Sequence, residues 1–247
     1  MKLHCSVVVD VPGCTLFIIL KIISFSSQKM DSFLSSMIKN VAVRLLVELV
    51  LAASAEKVKL SEMSRIMIEM ELKKHGIIPD VVGDMESPNH LMKITYTIPN
   101  KNETRFVRFG NDLQPTDLSN CPTNIEWPGY FEDDYTLMMV DPDSPSRLNS
   151  SQREEIHWLI VNNPGQVVRR KDTLFDYIGP QPSQGTGYHR YVFLVYAQPR
   201  ADMTFDEPRL HNDLEDVRRN NFSCREFAKK YNFSKPVAVN FFYARTL

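Results

Sequence analysis

Gly185-Thr-Gly-Tyr-His-Arg-Tyr-Val-Phe-Leu-Val-Tyr196 reads as a turn that runs straight into a strand. Glycine supplies the turn, and the residues after it are apolar at consecutive positions, as in a central strand buried on both faces. Tyr135–Val140 and Ile156–Val161 share that character. Polar groups stand at the ends of all three. Asp141-Pro-Asp-Ser-Pro-Ser-Arg147 follows one, His157 lies near the start of the next, and His189 and Tyr191 open the third. Groups gathered on rigid strand ends are how a protein builds a small preorganised pocket.

Working outward, Leu91–Thr97 and Thr104–Phe109 alternate with period two around the turn-rich Pro99–Asn102, a hairpin pattern. Ser223–Tyr231 suits a short helix with Ser223 as N-cap, and Pro236–Tyr243 a last strand. Helical spacing runs from Leu60 to His75, with Met63, Ile66, Met67 and Met70 as its apolar side. Gly76 supplies a stop and Pro79 bars continuation. The expected organisation is an N-terminal extension over 1–64, weakly structured or a targeting segment, followed by one mainly β domain over 65–247.

The bulk properties exclude several classes. A net charge of −1 with scattered basic residues leaves no footprint for nucleic acid. Four cysteines in no CxxC pattern argue against a zinc site or a disulfide scaffold and read as reduced, mostly buried thiols. The apolar runs Leu16–Leu20 and Val41–Ala53 are too short or too charged to span a bilayer, so no transmembrane anchoring is expected. Arg44 and Glu48 stand four apart, as a helical ion pair would. Ala53-Ser54-Ala55 has the look of a signal-peptidase site, which keeps secretion as the alternative to a cytoplasmic location.

Each polar group has a plain reading beside the functional one. Asp141-Pro-Asp143 taken alone is a turn, with Asp141 held extended before proline and Asp143, Ser144 and Ser146 able to bond their own backbone. Arg147 is placed to bind one of the turn carboxylates. His157, between Ile156 and Trp158, is expected to face opposite to both, and convergence with Asp141 would fix its tautomer. Gly185 and Gly187 lack the lysine of a P-loop and lead into a strand, so they read as a tight turn near a ligand. His189 and Tyr191, two apart, share a face and offer imidazole N–H and phenol O–H to an anion; Arg190 points the other way.

Asp-Pro-Asp-x-Pro-Ser-Arg, then a histidine with an aromatic and Leu-Ile-Val-Asn, then Gly-Thr-Gly-x-His-Arg-Tyr-Val-Phe-Leu-Val-Tyr resemble the conserved regions of phosphatidylethanolamine-binding proteins. The similarity runs from Leu72 to about Tyr243. It implies a large central antiparallel sheet packed on a smaller sheet, with peripheral helices. It also implies a ligand pocket from Asp141, Pro145, His157, His189 and Tyr191, shaped by Asp143, Arg147, Gly185 and Gly187. Such a pocket receives phosphate-like anions and phosphoethanolamine headgroups, and family members have been linked to kinase and serine-protease inhibition. Three departures stand out. Glu155 takes the place of the usual tryptophan, Gln181-Pro182-Ser183 replaces Gly-Pro-Pro, and the chain ends at Leu247 where a terminal helix is expected, which predicts a more open mouth.

The expected function is therefore noncatalytic recognition of a phosphate-bearing small ligand or phospholipid headgroup by a monomer, regulating a protein partner such as a kinase or serine protease. No cofactor and no metal are expected. The alternatives are a metal-assisted or acid–base hydrolase, disfavoured because no Ser or Cys sits in a nucleophile elbow, and an interaction scaffold with a vestigial pocket.

Overall fold

Strand β9, His189–Ala197, lies at the centre of the molecule because its side chains are apolar on both faces. In the computed structural model its alternate residues feed two separate cores. Tyr191, Phe193 and Val195 enter one; Val192, Leu194 and Tyr196 enter the other. The structure describes residues 43–45, 47–48, 64–84, 86–98, 101–169, 172–213 and 216–246.

The chain divides into two compact units, Met1–Glu56 and Lys57–Leu247. In the first, the described residues are helical, and Arg44 Nε reaches Glu48 Oε1 at 3.3 Å, the pair expected from their spacing. The runs and cleavage-like tripeptide noted before residue 56 otherwise lie outside the described residues.

The second unit begins with helix α1, described over 64–74, and a kinked turn α2, Ile77–Asp80. The strands are β1 His90–Leu91, β2 Lys93–Ile98, β3 Glu103–Phe106, β4 Asn111–Asp112, β5 Asn124–Glu126, β6 Asp134–Asp141, β7 Glu155–Pro164 and β8 Asp172–Phe175. After β9 come α3, Cys224–Lys230, and β10, Ala238–Ala244. The large sheet runs β1-β10-β9-β6-β7-β8 with β4 also on β10, and the small one β3-β2-β5. The protein is thus mainly β with a large sheet, a small sheet and peripheral helices, as expected.

Two sequence expectations need correction. The large sheet is mixed rather than wholly antiparallel, since β1 and β4 pair parallel to β10. Each is two residues long, too short to show any period. The apolar side of α1 is also displaced. Ile66, Met67 and Met70 are about half exposed or more, while Ile68 and Leu72 are buried against the sheet. At 100° per residue, Ile68 lies almost opposite Ile66.

Ile68, Leu72, Phe227 and Ala228 of the helices cover one face of the large sheet, and Ile94, Tyr96 and Ile125 of the small sheet cover the other. Each large side chain buried this way contributes roughly 1.5–3 kcal/mol. Gly76 ends α1 in the left-handed conformation, φ 66°. Ser223 caps α3 by accepting from the Glu226 N–H at 3.2 Å. Cys224 is buried and Cys121 half-buried, both free; Cys5 and Cys14 lie outside the described residues. Among the described residues, no helix is long and apolar enough to cross a membrane.

Candidate functional site

Strand register brings the polar groups together. Asp141 ends β6 directly opposite Glu155 on β7, and residues opposite one another share a face of the sheet. His157 owes its direction to an irregularity. Met139 pairs with Trp158 but Val140 pairs with Ile156, so His157 is an extra residue in β7. Such a bulge turns two consecutive side chains to one face. Trp158 accordingly packs in the same core as Tyr191, and the His157 ring meets Tyr191 edge-on at 5.1 Å. The expectation that His157 faces away from both neighbours is thus corrected for Trp158.

Asp141, Pro145, His157, His189 and Tyr191 line one cavity of about 360 Å³, together with Ser144, Gln152, Glu155, Ile178, Pro182 and others. Asp143, Arg147, Gly185 and Gly187 do not line it. Asp143 is buried and forked by Arg190, whose Nε and terminal nitrogen reach its two oxygens at 2.9 and 2.6 Å. The turn carboxylate expected to pair with Arg147 is therefore bound by Arg190, which the alternation of β9 turns away from the cavity. Arg147 itself is exposed, 3.5 Å from the His75 carbonyl. Gly185 and Gly187 are exposed with φ +84° and +83°, and open space surrounds both. The turn's left-handed backbone at both positions is what favours glycine there.

The imidazole partner of Asp141 is His189, at 2.7 Å from Nδ1 to Oδ2. Asp141 and His157 also converge, a carboxylate oxygen and a ring nitrogen lying within 4.8 Å, but no hydrogen bond is seen between them. Nε2 of His189 meets Thr186 Oγ1 at 2.9 Å, and the one hydrogen of that hydroxyl goes to the Ser183 carbonyl at 2.7 Å. Toward His189, Thr186 can then only accept, and so can the Asp141 carboxylate. Both ring nitrogens donate, which makes His189 an imidazolium. Its proton affinity agrees: burial disfavours the charge, but the hydrogen bond and charge of Asp141 outweigh it and raise the pKa above 6.5. Burial, with Asp141 and Glu155 nearby, holds the Tyr191 phenol protonated well above its ordinary range.

Asp141 also anchors the turn, its Oδ1 accepting from the Asp143 N–H at 2.7 Å. Glu155 Oε2 accepts from Ser144 Oγ at 2.8 Å. His157 Nδ1 sits 3.1 Å from the Ile178 carbonyl, and its Nε2 is buried with no partner among the described residues. Glu155, two residues before His157 and on the sequence a departure that makes the rim more acidic, is part of the cavity lining. Thr186 and the Ile178 carbonyl left no signal, because loops bring them in.

A model of the phosphatidylethanolamine-binding protein family matches residues 89–242. The chain belongs to the phosphatidylethanolamine-binding protein family. A 26 kDa secreted antigen of Toxocara canis, similar in sequence, is 38% identical over 68% of this chain, which spans 60% of that relative's length. Two solved structures are similar over about three quarters of the chain. The carboxypeptidase Y inhibitor, seen with its cognate proteinase, superposes with a TM-score of 0.62 at 27% identity. The alignment covers 74% of this chain and 97% of that one. The phosphatidylethanolamine-binding protein of Plasmodium vivax gives 0.60 at 28% identity, covering 72% and 97%.

Proposed function

We propose that the cavity is a noncatalytic receptor for a phosphate-bearing small molecule or headgroup, phosphatidylethanolamine-like, and that its occupancy regulates a protein partner. The observation that carries this reading is the buried imidazolium of His189 beside the protonated phenol of Tyr191. The positive charge of the ring and the phenolic O–H are what a phosphate selects, the ring acting through its charge because its two N–H groups serve Asp141 and Thr186. Membership of the family supports the ligand class. A serine protease is the partner favoured over a kinase, because one structural relative is a proteinase inhibitor. Of the two compartments left open by the sequence, the relative named as a secreted antigen favours the exported one, and an intact mass of the native protein tests that.

Isothermal titration with inorganic phosphate and phosphoethanolamine tests the receptor. Tyr191→Phe and His189→Ala should each lose about 1.5–3 kcal/mol of binding, the worth of a hydrogen bond to a charged group. Affinity should fall as pH rises through the raised pKa of His189. Equal affinity of wild type and the double variant would sink the proposal.

The order Asp141, His189, Thr186 also invites a hydrolase reading, since it matches an acid–base–nucleophile relay. It is disfavoured because the Thr186 hydrogen is directed to Ser183 and His189 already holds both protons. Ester turnover by wild type that Thr186→Val abolishes would favour the relay instead.

A further inference from the structure

Glu155 changes what this cavity can hold. Asp141, Glu155 and His157 each present a ligand-type atom to a common point, the three atoms lying within 4.8 Å of one another. Bonds of about 2.0–2.2 Å to a cation set ligands up to roughly twice that apart, so a small inward shift of side chains closes the site. Asp143, the other acid expected at the pocket, is bound by Arg190 instead.

His157 adds a second, independent observation. The Ile178 carbonyl can only accept, so Nδ1 carries a hydrogen there and Nε2 is the ring nitrogen left for a ligand. That nitrogen is buried, lacks a partner among the described residues, and belongs to a side chain lining a cavity with two carboxylates. The residue is only 3% exposed. A buried polar atom left without a partner is an arrangement proteins ordinarily avoid. A backbone carbonyl that fixes the far nitrogen is how metal-ligating histidines are oriented, and bonded carboxylates complete such shells. Ser144 on Glu155 and the Asp143 N–H on Asp141 supply those bonds.

We propose that Asp141, Glu155 and His157 form a three-ligand site for a first-row divalent cation, with zinc the natural fit. One imidazole and two carboxylates suit zinc, whereas magnesium and calcium prefer all-oxygen shells. The fourth position then opens to the cavity and takes a phosphate oxygen. This last step rests on the receptor reading above, and it removes a conflict within it. The imidazolium of His189 faces two carboxylates, an excess of negative charge that repels a phosphate. A divalent ion reverses the sign.

The test uses the full chain stripped with a chelator and then titrated calorimetrically with zinc chloride. One ion per chain is expected, and cobalt(II) should give the visible absorption of a low-coordinate site. Glu155→Gln should weaken zinc by roughly 100-fold or more, since losing even an outer partner of a ligand costs 10–100-fold. Glu155 is partly exposed, so this variant should stay folded, as a thermal melt verifies. His211→Gln removes an exposed histidine outside the cavity and should leave zinc binding unchanged. No saturable zinc binding by the stripped protein, or equal binding by Glu155→Gln, overturns the site. Inorganic phosphate is then titrated into stripped and zinc-loaded protein. Binding only to the loaded form supports the whole proposal. Equal binding to both overturns the bridging role and leaves the receptor intact. Zinc bound at Glu155 with phosphate bound by neither form upholds the ion site and overturns its bridging role together with the receptor.

Discussion

Asp141 and Asp143 stand two residues apart in one turn, and their surroundings are opposite. Asp143 is saturated: the Arg190 fork, the Arg190 N–H and deep burial leave it no open side. Arg190 is itself completed by Asp80 and the Gly76 carbonyl. Asp141 instead lines a cavity with an imidazolium on one side and the unpartnered nitrogen of His157 near it. The two regions show that burial and charge alone do not mark a site. What marks it is a polar group whose partners are incomplete.

The sharpest way to break this comparison is to remove Arg190. Arg190→Met strands the Asp143 carboxylate, 1% exposed, with only backbone donation left. Breaking one side of a buried ion pair costs about 3–5 kcal/mol, to be read as a lower urea midpoint. Arg190→Met with Asp143→Leu should recover much of that loss, because no charge remains buried. A single variant as stable as wild type would mean that the cluster is not the structural half of the pair.

Glu154 sharpens the contrast from another side. It is a buried carboxyl whose recorded hydrogen bond is from the Cys224 N–H, at 2.9 Å. Burial pushes its pKa from 4.5 to about 7. The unfolded chain releases this proton near pH 4.5 and the folded chain only near 7. Between those values the folded state binds more protons, so stability must fall as pH rises, by about 3 kcal/mol in all. Glu154→Gln should flatten that decline in urea titrations run from pH 4.5 to 7.5. An unchanged slope would assign the decline to other groups.

How much of this was legible in the chain follows from what each signal encodes. β6, β7 and β9 are marked by continuous apolar runs and the β2–β3 hairpin by its period of two, and Ser223 announces the cap of α3. β1 and β4 form only where β10 offers an edge, so nothing local marks them. At the site, Asp141, Pro145, His157, His189 and Tyr191 were named from sequence and do line one cavity. Which histidine Asp141 would hold was not legible. It depends on the bulge at His157 and on Thr186, both set by packing across strands. Arg147 was given the role that Arg190 fills because a turn suggests its own closing residue before it suggests a distant strand.

That exchange yields the smallest effect and the cleanest check. Arg147 is exposed, and its one recorded bond is a long contact to the His75 carbonyl, a partner that Arg190 also reaches at 3.2 Å. Deleting it strands no buried charge. Arg147→Ala should therefore change stability by no more than about 0.5 kcal/mol and phosphate affinity by no more than about twofold. The same urea and calorimetric measurements read both. A loss of several kilocalories would place Arg147 in the buried network beside Arg190. A tenfold loss of phosphate affinity at unchanged stability would bring its guanidinium to the mouth of the cavity, and would add to the site a second cation beside His189.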